Sequence, residues 1–249
     1  MGRYYTFDRI NNSRILSFYS KKPMDFGGSA LEGEGRQMLI EEIESDFGYK
    51  FRSVVKCTRQ VHGDRVVIVG EEDLTNEQGE ADGLLTSVPG VALEIHTADC
   101  QSVFLYDPVR GVIGNVHSGW KGTVQKIVPK AVRLMMSHYG CRPEDIEVYI
   151  NPSILGCSFE IEEDVVAQFR AITDVEKYCR RDRVVDGRQK YYMDTAALNR
   201  DLLVEMGILR EHVFLSGVCT MCSVSEYHSY RGDHHKTGRN GSMICMREV

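Results

Sequence analysis

Apolar residues in this chain fall into short blocks whose spacing switches between the alternation of strands and the wider repeat of helices. Residues 65–69, 91–96, 102–106 and 112–117 are brief apolar runs rich in Val, Ile, Leu and aromatics, and they read as strands. Between the last two lies Asp107-Pro108-Val109-Arg110-Gly111, whose Pro and Gly suit a reversal. A tight hairpin there is expected to hold Cys100 and His117 near opposite ends of paired strands, close enough to share one ion. Upstream, Met38, Leu39 and Ile43 recur at helical spacing and predict a helix over 37–45, entered through a polar loop flanked by Gly27-Gly28-Ser29 and Gly33-Glu34-Gly35.

A longer helix is predicted over 123–139, where Val124, Ile127, Val128, Ala131, Leu134 and Met135 mark one face. Gly140 ends it, and Pro129 should kink it or delay its start. Strand 146–150 and helix 164–169 follow. Asp186-Gly187 supplies the positive φ values of a type I′ turn and predicts a hairpin over 183–191. Asp194 is placed to cap a helix whose Leu198, Leu202, Leu203 and Met206 face the core before Gly207 ends it, and 213–216 is a further strand. Strands partly alternate with helices and partly form hairpins. The expected class is therefore α/β of the α+β kind, with mixed β-sheets sandwiched by outer helices in a single compact domain over 1–249.

Composition narrows the setting. A chain of 249 residues, 42% of them hydrophobic, can bury a large core, and a net charge of −6 with no basic tract argues against general nucleic-acid binding. Eight cysteines without a charged, apolar leader at the start point to a reducing, cytoplasmic setting rather than a disulfide framework. The longer apolar stretches are broken by Glu94, Asp99 or Gly114, so no membrane span is expected. The start does match the loose myristoylation pattern through Gly2 and Thr6, which we read as coincidence.

The candidate chemistry sits beside strand ends: His62 in RQVHGD, Cys100 in HTADC and His117 in NVHSGW. One thiolate and two imidazoles suit zinc, and three protein ligands leave a fourth tetrahedral position open, as in a catalytic site. Asp99 is a candidate for orienting a ligand histidine or for acid/base work, against the plainer role of a strand-end cap. If its segment is extended, Gln60 shares a face with His62 while Arg59 points away and reaches the pocket only if the chain turns.

The motifs TRQVHGDRVVIV, ADGLLTSVPGVALEIHTADCQSVFLYD, GVIGNVHSGWKGT and YHSYRGDHHKTGR, in that order, resemble the laccase-domain family. Its members are also described as multicopper polyphenol oxidase-like proteins and as zinc-dependent purine nucleoside phosphorylases. The resemblance covers most of the chain from about Cys57 to Cys245. It implies that His62, Cys100 and His117 bind the metal, zinc or copper, and Cys100 with the neighbouring Asp99 are our candidates for the catalytic residues. Tyr230 and Arg231 resemble the family's SYRR motif at the active site, with Gly232 in place of the second arginine. Asn151-Pro152-Ser153-Ile154 resembles a GPxI turn with Asn for Gly, and Ser118 stands where alanine is commoner.

The implied activity is phosphorolysis of adenosine, inosine and methylthioadenosine to free base and ribose 1-phosphate, with adenosine deamination beside it. Its partners are nucleoside and phosphate, with no nucleic acid or membrane, in a monomer or small homo-oligomer. Three other classes stay open. A copper-dependent phenol oxidase needs more histidines at HxH spacing than exist here. A cysteine hydrolase acting on amide bonds of cell-wall precursors would use Cys100 as nucleophile with His117 or His62 as base. A metal-binding scaffold needs a fourth ligand. A rival structural zinc knuckle pairs Cys219 and Cys222 with His228, His234 or His235. His96, His138 and His212 read as ordinary strand, helix-end and loop residues.

Overall fold

The computed structural model describes residues 2–27, 32–74 and 78–248. The chain opens with β1 (Tyr4–Tyr5) and β2 (Ile15–Ser20), followed by α1 (Glu34–Phe47) and β3 (Ser53–Lys56). Next come β4 (Val66–Ile68), β5 (Gly83–Thr86), β6 (Val91–Thr97), β7 (Gln101–Asp107) and β8 (Val112–Ser118). Then follow α2 (Trp120–Val124), α3 (Ile127–Tyr139), β9 (Glu147–Ile150), β10 (Glu160–Glu162) and α4 (Glu163–Arg170). The chain finishes with β11 (Cys179–Val185), β12 (Arg188–Met193), α5 (Thr195–Val204), β13 (Val213–Leu215) and β14 (Asn240–Met246).

Two mixed sheets carry the fold, one ordered β1-β2-β14-β6-β3 and the other β13-β9-β7-β8-β5-β4, with a small sheet β10-β12-β11 at one side. Between the large sheets lie Val55, Leu93, Ile95 and Ile244 from the first and Leu84, Phe104, Ile113 and Tyr149 from the second. Helix α1 covers the outer face of the first sheet over Phe18, Val54 and Met243, while α3 and α5 cover the second over Val103, Leu105 and Val116. The order of layers is helix, sheet, sheet, helix, the sandwich expected from the sequence. Strand β7 shows why: Val103 and Leu105 face the helices, Phe104 and Tyr106 face the other sheet, and both faces are buried.

The hairpin of β7 and β8 forms, pairing Gln101 with Ser118 and Ser102 with His117. Because that pairing is antiparallel, Cys100 and His117 sit at the same open end of the hairpin, not at opposite ends. They also share a face, since Cys100 lies two residues before Ser102 and successive side chains alternate. This face looks between the sheets, where Asn115 Nδ2 donates to Leu93 O and Ser242 O, both at 3.0 Å.

Several boundaries move. Helix α1 is longer than 37–45 and ends at Gly48, whose φ of 59° closes the last turn. The glycine loop before it falls partly on residues 28–31, outside the described residues. The expected helix over 123–139 is two helices, broken at Lys126 with φ 58°, and Pro129 lies in the first turn of α3, where a missing N–H costs nothing. The Asp186-Gly187 turn has φ values of 49° and 75°, and Asp194 accepts from the Ala197 N–H at 2.9 Å as the cap of α5. Among the described residues no helix is long and apolar enough to cross a membrane.

Candidate active site

His62, Cys100 and His117 converge at the open end of the β7–β8 hairpin. Each offers one ligand atom, and these atoms lie within 4.8 Å of one another. The His62 and His117 rings stand nearly perpendicular with centroids 4.7 Å apart. Gly119 sits against all three. A Cβ there would come within 2.9 Å of His62 Cδ2 and 3.1 Å of Cys100 Sγ, so only glycine allows the backbone entering α2 to approach the cluster this closely. Above it opens a cavity of about 960 Å³, lined by His96, Trp120, Tyr230 and Arg231 among others.

Asp82, buried just before β5, organises the cluster. Its carboxylate accepts from the backbone N–H groups of Val61, His62 and Gly63 at 3.2, 2.9 and 2.8 Å, and from His117 Nδ1 at 2.8 Å. The last bond leaves Nε2 of His117 for a ligand. The first three hold His62 at φ 58°, a left-handed conformation that costs a non-glycine residue about 1 kcal/mol. Burial alone would raise the Asp82 pKa, but the bonds from His117, Gly63 and His62 bring it below the ordinary value. Burial likewise disfavours the Cys100 thiolate, yet the His117 and His62 imidazoles overcome this and bring its pKa down to about 6. Burial lowers the His117 pKa, while the Cys100 thiolate and Asp82 raise it to about 9. Each group thus favours the charged form of the other.

The hydrogen bonds of Asp99 go to Thr220, Ser229 and Arg231, and the carboxylate bonded to His117 is that of Asp82. The Asp99 Oδ1 accepts from the hydroxyls of Thr220 and Ser229, both at 2.7 Å, and Oδ2 accepts from the Arg231 N–H at 2.7 Å. Held at φ 83°, Asp99 ties the segment carrying Tyr230 and Arg231 to the cavity wall. Arg231 also donates from Nη1 to Glu160 O at 3.1 Å, and Tyr230 is 46% exposed at the rim. The segment before His62 is not simply extended. The chain turns at His62, Arg59 reaches the rim while paired with Glu80, and Gln60 clasps the His96 backbone with bonds of 2.7 and 2.8 Å. All four residues expected at the substrate line the cavity.

The sequence reading missed part of the cavity wall. His96 is no ordinary strand residue: it lines the cavity, and its Nε2 lies 2.5 Å from Oε1 of Glu94. Arg36 of α1 grips the same carboxylate with bonds of 2.9 and 3.1 Å. Burial opposes the Glu94 charge, but His96 and Arg36 prevail and hold its pKa at about 2. A glutamate inside the apolar run VALEIHT was the available signal, because a buried carboxylate requires partners.

The sequence model described as multi-copper polyphenol oxidoreductase laccase matches residues 36–247. The chain belongs to this laccase family. One relative, named purine nucleoside phosphorylase YlmD, from Bacillus subtilis (strain 168), is 34% identical over 96% of this chain and 91% of its own length. Another, named adenosine deaminase RL5, from an unknown prokaryotic organism, is 30% identical over 76% of this chain and 74% of its own. The crystal structure of the hypothetical protein YfiH of Bacillus licheniformis superposes with a TM-score of 0.82, at 27% identity, over 94% of this chain and 93% of that one.

Where this laccase-family chain departs from the family's motifs, the structure shows what the new residue does. Ser118 is buried and bonds to Thr123 and Asn199, and Asn199 in turn donates to Gln101 at 2.8 Å. Asn151 is buried against Ser102. A Cβ on Gly232 would press within 3.0 Å of Ser229 Oγ, so the loop is packed for glycine and the second arginine has no counterpart at this position. The rival knuckle gathers other partners. His228 donates from Nε2 to Met24 O at 2.9 Å and His235 packs on the Tyr230 ring, whereas Cys219 and Cys222 gather with Cys157.

Proposed function

We propose that this protein is a zinc-dependent purine nucleoside phosphorylase, converting adenosine, inosine and methylthioadenosine to free base and ribose 1-phosphate, with adenosine deamination as a second activity. We place it in the cytoplasm, as a monomer or small homo-oligomer. The observation that carries the reading is the His62, Cys100 and His117 cluster opening into a cavity within the ~300–1,000 Å³ range of small-molecule sites. The names of the relatives supply the substrate class.

The donor set fits zinc. Thiolate and imidazole are both ordinary zinc ligands, three of them leave a tetrahedral position open, the thiol is already inclined to ionise, and Asp82 supplies a carboxylate behind His117. Zinc held by His62, Cys100 and His117 would supply Lewis-acid polarisation and a positive charge at the floor of the cavity. The chain's own groups do the rest. Asp82 fixes the tautomer of His117 and the turn at His62. Asp99 positions the Arg231 backbone, leaving that guanidinium and Arg59 at the rim to meet phosphate or ribose. His96, braced by Glu94 and Arg36, is a further imidazole in the cavity lining that the nucleoside would meet. A multicopper centre lacks support, because the other described cluster of potential ligands contains no histidine.

One observation favours a second reading. The Cys100 and His117 pair, with pKa values of about 6 and about 9, is also the activated state of a cysteine nucleophile for amide hydrolysis. Incubating the purified protein with each nucleoside, with and without phosphate, before and after chelation, separates the two. The proposal expects phosphate-dependent base release that stops on chelation and returns with zinc. Activity that survives chelation while Cys100 is rapidly alkylated in the untreated protein would instead make it a cysteine enzyme.

A further inference from the structure

Cys157, Cys219 and Cys222 gather at the surface, outside the lining of the active-site cavity. Their sulfurs lie within 4.8 Å of one another, with Cys157 Sγ 3.7 Å from Cys222 Sγ. Two sulfurs on one tetrahedral zinc, each at about 2.3 Å, stand about 3.8 Å apart. The observed separation is compatible with two ligands around one ion and much longer than a disulfide. A third thiol, unnecessary for a disulfide, completes the set.

The cluster is held from both sides by backbone pairing. Ser153 N–H donates to Val218 O at 3.2 Å, and Thr220 N–H donates to Ser153 O at 3.0 Å. This zips the loop after β9 to the loop after β13. The Ser158 N–H closes a turn on Leu155 O at 2.8 Å, which presents Cys157, and the Ser223 N–H closes another on Cys219 O at 3.0 Å. Burial opposes the Cys219 thiolate, but the Ser158 hydroxyl and the backbone at Leu155 and Cys222 bring its pKa below the ordinary value. Such donors favour a thiolate, and the Ser158 hydroxyl lies 3.2 Å from Cys222 Sγ.

We propose that Cys157, Cys219 and Cys222 form a second metal site, a trithiolate that takes a thiophilic closed-shell dication, with zinc as the ion tested. Binding one dication releases the thiol protons to solvent as three metal–sulfur bonds form, and water takes the fourth position. Its structural effect is to clamp the loop carrying Ile154 and Phe159, both of which line the active-site cavity, onto the segment whose Thr220 bonds Asp99.

The experiment counts zinc in the reduced, chelator-stripped and refilled protein, for wild type, the double variant Cys157→Ser/Cys222→Ser and Cys100→Ala. Both residues of the double variant are exposed, so the fold should survive. The expected result is two equivalents in wild type and one in each variant. Cadmium should give a thiolate charge-transfer band that the double variant reduces to the share of the single Cys100 thiolate and that Cys100→Ala retains in most part. A double variant that binds as much zinc as wild type overturns the proposal, as does a reduced wild-type protein whose whole zinc content vanishes in Cys100→Ala. The same experiment keeps the readings apart, since unchanged zinc in Cys100→Ala would instead contradict the nucleoside site.

Discussion

Asp82 shows how much of a metal site can rest on a residue that would never touch the metal. It accepts four hydrogen bonds, one from His117 and three from the turn that carries His62. Asp82→Ala is therefore expected to weaken zinc binding about 10–100-fold, read by competition with a chelating dye, because both histidines lose their orientation. Gly119→Ala is a milder steric probe. Its Cβ would meet His62 and Cys100 at 2.9 and 3.1 Å, so zinc affinity should fall, together with stability by about 1–3 kcal/mol. Cys100 itself supplies a pH test. In the metal-stripped protein its alkylation rate should rise through pH about 6 instead of about 9, because the thiolate forms earlier, and loaded zinc should shield it. The three clustered residues were legible in the sequence as candidate ligands, Cys and His beside strand ends, but Asp82 was not. Its role depends on a turn 20 residues away in the chain, which no local pattern encodes.

At the scale of elements, legibility followed local chemistry. The hairpin of β7 and β8, the Asp186-Gly187 turn and the Asp194 cap each announce themselves within a few residues. Strands β2 and β14 do not. Both are central strands covered on two faces, so they lack alternation, and their pairing joins Ile15 to Met246 across nearly the whole chain. The unit of β6 and α1 makes the sharpest element-level prediction. Glu94, buried on β6, has its pKa depressed from the ordinary 4.5 to about 2 by His96 and Arg36. A depressed carboxylate contributes its stability fully above pH 4.5 and loses it as pH falls through about 2. Glu94→Gln should cost about 3 kcal/mol at neutral pH, because it leaves Arg36 without its carboxylate, and should flatten the loss of stability across that acid window. Denaturant unfolding at several pH values checks both. Asp194→Ala should cost about 1 kcal/mol through the lost cap of α5 and leave zinc untouched.

The whole molecule places its site where two sheets end, so one ligand-bearing hairpin and the loops of both sheets meet around a single cavity. A net charge of −6 would repel phosphate at long range, yet Arg36, Arg59, Arg231 and Arg239 all line this cavity. Arg231→Ala should raise the apparent KM for phosphate or nucleoside about tenfold with zinc content unchanged, since a charge-assisted contact contributes about 1.4 kcal/mol or more. The central claim is that nucleoside phosphorolysis depends on zinc held by His62, Cys100 and His117. Its most direct test is to titrate zinc into the stripped Cys157→Ser/Cys222→Ser protein while following adenine release from adenosine in phosphate. Activity should start near zero, rise in proportion to added zinc and level off at one equivalent. Full activity before any zinc is added, or none at any zinc concentration in a folded protein, would contradict the account.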